Sequence, residues 1–110
     1  MARFVAGDVV ILPFPHTNQA GGKRRPAVVL CETARHDLLV CMITSAAYGS
    51  DAIPLDKKNL ESSGLRVSSA VRPDRLLVVS PELVEKKTGC LSQEMMSAVK
   101  AVLVSWLLEK

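Results

Sequence analysis

Apolar and polar positions change rhythm along this chain, and the changes mark out its elements. Residues 8 to 13 read DVVILP, a β-branched run introduced by Gly7 that predicts a strand from Asp8 to Pro13. Phe14 to Lys23 mixes Pro, Thr, Asn and Gly and predicts a long, mobile loop. Apolar runs return at Pro26 to Cys31 (PAVVLC) and Leu38 to Thr44 (LLVCMIT), two buried strands flanking a polar turn at Thr33 to Asp37. Ala52 to Leu55, Ser69 to Arg72 and Leu76 to Val79 are shorter strand candidates, and the polar stretch Asp56 to Gly64 has room for a helical turn. Many short strands in succession predict a small barrel or sandwich.

Near the end the period lengthens. Ser80 followed by Pro81 is an N-cap and a favoured first helical residue, which predicts a short helix from Pro81 to Lys87, stopped near Gly89. Ser92 caps a longer one. In it Met95, Met96, Val99, Val102, Leu103, Trp106 and Leu107 recur at three- and four-residue spacing, a stripe read as packing on the sheet rather than as a partner surface. The fold class is therefore mainly β (α+β), a small barrel or sandwich with a short helix and a C-terminal amphipathic helix packed on it. With no linker-like stretch, residues 1–110 are read as one domain.

Composition fits a packed core: 48% of residues are hydrophobic and 23% charged. Aromatics make up 4%, so base or ligand stacking on aromatic platforms is not the main binding device. The net charge of +3 favours a polyanion only where cations cluster. Lys23, Arg24 and Arg25 are contiguous, and Arg66, Arg72 and Arg75 form a second group; a solvated surface accounts for either group equally well. Three cysteines, at 31, 41 and 90, have no CxxC spacing. They read as reduced thiols, with Cys31 and Cys41 buried in apolar runs, and not as a disulfide framework or a zinc site. No HxH or HExxH pairing joins His16 or His36, so neither a metal nor another cofactor is expected. Neither a signal peptide nor a membrane-length apolar segment is visible, which predicts a soluble, cytoplasmic protein.

Five fragments in this order, GDVVILPFP (7–15), KRRPAVVL (23–30), MITS (42–45), IPL (53–55) and VRPDRL (71–76), resemble the MazF/PemK family of type II toxin–antitoxin toxins over nearly the whole chain. The resemblance implies an SH3-like barrel and a homodimer. It also implies sequence-specific cleavage of single-stranded RNA, inhibition of translation and growth, and neutralisation by a cognate antitoxin through which DNA is met only indirectly. It places the catalytic arginine at Arg25, directly before Pro26, and the catalytic hydroxyl at Thr44. His16 follows PFP, where an aromatic residue is common in similar sequences.

The residue chemistry suits that reaction. RNA carries its own nucleophile, the 2′-OH, so a protein need only hold the phosphate, stabilise the developing charge and help move protons. Arg25 offers a planar fork of donors that stays charged, and Pro26 biases it to an extended conformation at a strand entrance. Thr44, or Ser45 beside it, supplies a hydroxyl for the phosphate or the 2′-OH. No general base is evident; His16 is the sequence-visible candidate, either catalytic or contacting RNA, with an ordinary pKa of about 6.5. Lys23 and Arg24 are further phosphate contacts. Arg72 and Arg75 either wall the groove or are tied up by Asp74. Two other readings use the same barrel: a CcdB-like toxin that binds DNA gyrase without catalysis, and a degenerate nucleic-acid-binding module.

Overall fold

The computed structural model describes residues 3–16, 19–45, 51–65 and 67–109, with the backbone alone at residues 15, 16 and 19–23. Its elements run β1 (Asp8–His16), β2 (Gln19–Glu32), β3 (Leu38–Thr44), β4 (Ile53–Pro54), α1 (Lys57–Ser63), β5 (Ala70–Val79), β6 (Lys86–Cys90) and α2 (Gln93–Glu109). The strands form one curled antiparallel sheet in the order β4-β5-β3-β2-β1-β6, a half-barrel accompanied by the two helices.

Strand alternation gives each sheet face its own core. On one face Val9, Val28, Leu30, Cys41, Ile43 and Val71 meet Leu91, Met96 and Val99 from the C-terminal segment. On the other, Val10, Leu12 and Phe14 of β1 pack with Ala27 and Val29 of β2 and Leu38 and Val40 of β3. Since every interior β2 residue from Ala27 to Leu30 is buried, the run PAVVL is continuous rather than alternating, as a strand covered on both faces requires.

Several boundaries differ from those the sequence predicts. The described residues of the expected loop from Phe14 to Lys23 are ladder instead: β1 and β2 pair through Pro13–Arg24 and Phe14–Lys23 out to His16–Gln19. Glycine and proline mark that stretch as irregular, but paired strands tolerate both near their ends. The helix expected over Pro81 to Lys87 shrinks to a 3₁₀ turn at Pro81–Leu83, capped by Ser80, whose side chain accepts from Glu82 N. Lys86 to Cys90 then pairs with β1 as an edge strand, where the sheet's open edge outweighs a weak local helix preference. Cys31, expected to be buried, is exposed; a register shift between Val29 and Cys31 breaks the alternation, leaving Leu30 inside and Cys31 outside.

The helices are tied down by side-chain caps. Asp56 Oδ1 accepts from the Asn59 backbone N at 2.8 Å and from its Nδ2 at 2.9 Å, which holds the Asp56 carboxyl below its usual range. The buried Asn59 then accepts from Ser92 N at 2.8 Å, and Ser92 Oγ accepts from Met95 N at 3.1 Å. One chain of bonds thus starts both helices. Thr88 Oγ1 donates to Ser63 O at 2.7 Å and Ser62 Oγ to Cys90 O at 2.7 Å, which sews α1 to β6.

Candidate functional site

Arg25 stands on β2 opposite Leu12 of β1, and Thr44 stands on β3 opposite Ala70 of β5. The ladder between β2 and β3 ends at Ala27–Met42. Two residues further along each strand are Arg25 and Thr44, so the same register brings them level across the point where β2 and β3 stop pairing. Pro26, with no N–H to donate, is the first residue past the ladder's end. Each strand keeps its outer neighbour while the inner ladder is lost, which leaves a notch with Arg25 on one wall and Thr44 on the other.

Alternation also sets which face the notch opens on. Arg25 shares its side of β2 with Ala27 and Val29, and Thr44 shares its side of β3 with Met42 and Val40, all members of or packed on the same apolar cluster. Arg25 is half-buried and Thr44 is buried at 7% exposure, the more enclosed of the two. Ser45, directly after β3, is exposed.

A cleft of about 310 Å³ lies on this face, lined by Phe14, Met42, Asp74, Arg75, Leu76 and Leu77. Its far wall is an irregularity of β5. Ile43 pairs with Val71 and Cys41 with Leu76, so four residues, Arg72–Arg75, stand against the single residue Met42. Within this bulge Arg72 Nε donates to Asp74 Oδ1 at 3.2 Å and an Arg72 Nη to Oδ2 at 2.7 Å. The Arg72 hydrogen bonds hold the Asp74 carboxyl below its ordinary range against a smaller opposing desolvation, with the charges of Arg72 and Arg75 adding to the effect.

The candidate residues on this face are therefore Arg25 and Thr44 at the end of the β2–β3 ladder and Asp74 and Arg75 lining the cleft, with Arg72 paired to Asp74. Asp74 is a cleft residue that the sequence suggested only as a brace. Its legible signal was the Arg-Pro-Asp spacing, since positions 72 and 74 lie two apart on a strand and so face the same way. Arg24 is placed elsewhere: alternation sends it to the face opposite Arg25, where its Nε donates to Glu85 Oε1 at 2.6 Å. The side chains of His16 and Lys23 lie outside the described residues.

Other concavities have a different character. One of about 440 Å³ lies beside the β2–β3 turn between Arg3, Glu32, Arg35, His36, Asp37 and Glu82, with the opposite charges interspersed. Among the described residues no three His, Cys, Asp or Glu side chains are grouped to hold a metal ion, and no helix is long and apolar enough to cross a membrane.

Comparison with known proteins bears on this geometry. The family model of PemK-like, MazF-like toxins of type II toxin–antitoxin systems matches residues 6–107. No curated protein matches the sequence. A chain of the MazE–MazF complex from Deinococcus radiodurans superposes with a TM-score of 0.75 at 26% identity, covering 97% of this chain and 98% of that one. MazF from the same organism gives 0.72 at 27% identity, covering 94% and 96%. The Mycobacterium tuberculosis toxin MazF-mt6, at 18% identity, shares the fold with a TM-score of 0.71 over 94% of this chain and 98% of its own.

Proposed function

Because this chain belongs to the PemK/MazF family of type II toxin–antitoxin toxins, we propose that it is a sequence-specific, metal-independent endoribonuclease that cuts single-stranded messenger RNA and so arrests translation and growth. The observation that carries the reading is the notch between β2 and β3, with a permanent cation on one wall and a hydroxyl on the other.

In this reading a phosphate enters the notch. The substrate's 2′-OH attacks the adjacent phosphorus, an O2′–P bond forms as the 2′ proton leaves, the P–O5′ bond breaks, the departing O5′ takes up a proton from water, and the products are a 2′,3′-cyclic phosphate and a 5′-OH end. Arg25 spans two phosphate oxygens and stabilises the charge that accumulates on them. Thr44 orients the phosphate or the 2′-OH. The proton of the 2′-OH needs an acceptor, and Asp74 is the ionised carboxylate lining the cleft. Its depressed pKa makes it a weak base that is always available, with His16 as the alternative acceptor. Arg72, Arg75 and Lys23 extend the positive wall along the RNA backbone, and Arg24 joins them only by leaving Glu85.

The partners follow from the same surfaces. A cognate antitoxin with an acidic, flexible segment would cover this cleft and close it to RNA, and DNA is reached only through that complex. A second copy of the chain fits the apolar groove of about 360 Å³ between β5 and the end of α2, lined by Leu30, Leu39, Leu76, Leu103, Trp106 and Leu107. The site of action is the cytoplasm, where messenger RNA is found.

The test is incubation of a long single-stranded RNA with the purified protein in EDTA, with the 5′ ends of the fragments sequenced. Discrete cuts leaving 5′-OH ends are the expected result, lost in a folded Arg25→Ala variant. Unimpaired cutting by that variant would sink the assignment.

A further inference from the structure

Cys41 lies fully buried on β3, where the ladder with β5 is interrupted. Its partner Leu76 is the first β5 residue after the bulge, while Ile43 pairs with Val71 before it. Backbone groups inside a bulge lose their ladder partners and must be satisfied some other way. Cys41 meets that need for Arg72: its Sγ donates to the Arg72 carbonyl at 2.8 Å. Burial, reinforced by the Asp74 charge, pushes the thiol up to about 12, so at neutral pH the group keeps its proton and remains a donor.

What this bond fixes is the start of the cleft wall. Arg72 carries the anchored carbonyl on its backbone and the two donors to Asp74 on its side chain. The ring of Pro73 between them is fully buried, which holds the intervening backbone at one φ. Carbonyl, ring and ion pair are thus coupled over three residues, and the carboxylate at the end of the series lines the cleft. We propose that Cys41 is a positioning residue that holds the Arg72–Asp74 pair against the cleft by hydrogen-bonding the bulge backbone. The proposal rests on the ribonuclease reading for its effect on cleavage, but not for its effect on Asp74.

Two substitutions separate this role from simple packing. Cys41→Ser keeps an O–H donor on the same Cβ, aimed at the same carbonyl, whereas Cys41→Ala removes the donor. With both variants verified as folded by thermal unfolding, kcat and KM are measured on single-stranded RNA, and the Asp74 carboxyl is titrated by carbon-13 NMR. Cys41→Ala is expected to lower kcat roughly tenfold or more with KM changed by less than about twofold, since displacement of a few tenths of an ångström to an ångström is felt in the chemical step. It is also expected to raise the Asp74 midpoint toward the ordinary aspartate value as the Arg72 bonds loosen, while Cys41→Ser restores both to near wild type. A folded Cys41→Ala protein with wild-type kcat and an unmoved Asp74 midpoint overturns the proposal, as does an equal loss in both variants. If the wild-type chain cuts no RNA, the ribonuclease reading falls by itself and the Asp74 titration alone decides the role of Cys41.

Discussion

Arg24 Nε donates to Glu85 Oε1 at 2.6 Å across the intervening strand β1, which separates β2 from the segment leading into β6. The two arginines that adjoin in sequence are therefore divided by the sheet: Arg25 faces the notch and Arg24 faces away. The ion pair is largely solvent-exposed, with Arg24 at 69% and Glu85 at 38%, so it contributes no more than about 1 kcal/mol. Arg24→Ala should leave the midpoint of urea unfolding nearly unchanged and retain cleavage within about threefold, against the loss expected for Arg25→Ala. A loss as large for Arg24 as for Arg25 would mean that the face separation does not govern the chemistry.

Thr44 and Ser45 are also adjacent and also diverge, one buried at 7% exposure and the other exposed at the strand's end. If the Thr44 hydroxyl acts on the phosphate, Thr44→Val, which keeps the shape, should reduce kcat by about tenfold or more, and Ser45→Ala should stay within about threefold. Single-turnover kinetics on a short RNA reads both. The reverse ranking would assign the hydroxyl role to Ser45.

These two contrasts show what the sequence made legible. The strands Asp8–Pro13, Pro26–Cys31 and Leu38–Thr44 were readable because β-branched runs bounded by polar turns have few other solutions, and Pro26 located Arg25 at a strand entrance. The side each residue faces was not readable, because it depends on register, and register is settled by pairing between strands far apart in sequence. The place of Asp74 in the cleft stayed hidden for the same reason. Its Arg72 bond is local, but the bulge that turns the pair toward Met42 and Phe14 exists only relative to β3. The β6 strand was masked by a capped turn at Pro81 that looked like a helix start, and its edge position appears only once β1 is in place.

The Asp74 carboxyl has a folded pKa depressed chiefly by its hydrogen bonds from Arg72. The sign follows: the stabilisation is fully present above the ordinary aspartate pKa and is lost as the pH falls through the depressed folded value. Carbon-13 titration of the folded protein should therefore place the Asp74 midpoint below the ordinary aspartate value, and Arg72→Ala should raise it. A midpoint at the ordinary value in the wild-type protein would mean that the ion pair does not persist in solution.

Gly89 lies where β6 passes α1 at the closest range. A Cβ there would come within 2.1 Å of Ser62 O and 2.7 Å of Ser63 C, both backbone atoms that cannot swing aside. Gly89→Ala must push α1 off the sheet and strain the Thr88–Ser63 and Ser62–Cys90 bonds. A loss of about 2 kcal/mol in urea unfolding is expected. An unchanged midpoint would mean that α1 yields without cost.

The apolar stripe of α2 does two jobs along its length. Met96 and Val99 are buried, and Met95 and Leu103 pack on the same cluster, as the periodicity predicted. Further on, Trp106 lines a groove and Leu107 is 83% exposed, with Leu108 at 81% and Val78 of β5 at 58%. Side chains of this kind left in water forgo about 1.5–3 kcal/mol each relative to burial, and a self-complementary patch recovers that amount from both copies at once. If this groove receives a second copy of the chain, Leu107→Glu should shift wild-type dimer to monomer in sedimentation velocity, raising the dimer Kd by about tenfold or more. The variant should keep its unfolding midpoint at concentrations where both proteins are monomeric, because Leu107 contributes little to the fold. A variant that sediments as a dimer indistinguishable from wild type would move the interface elsewhere on the sheet.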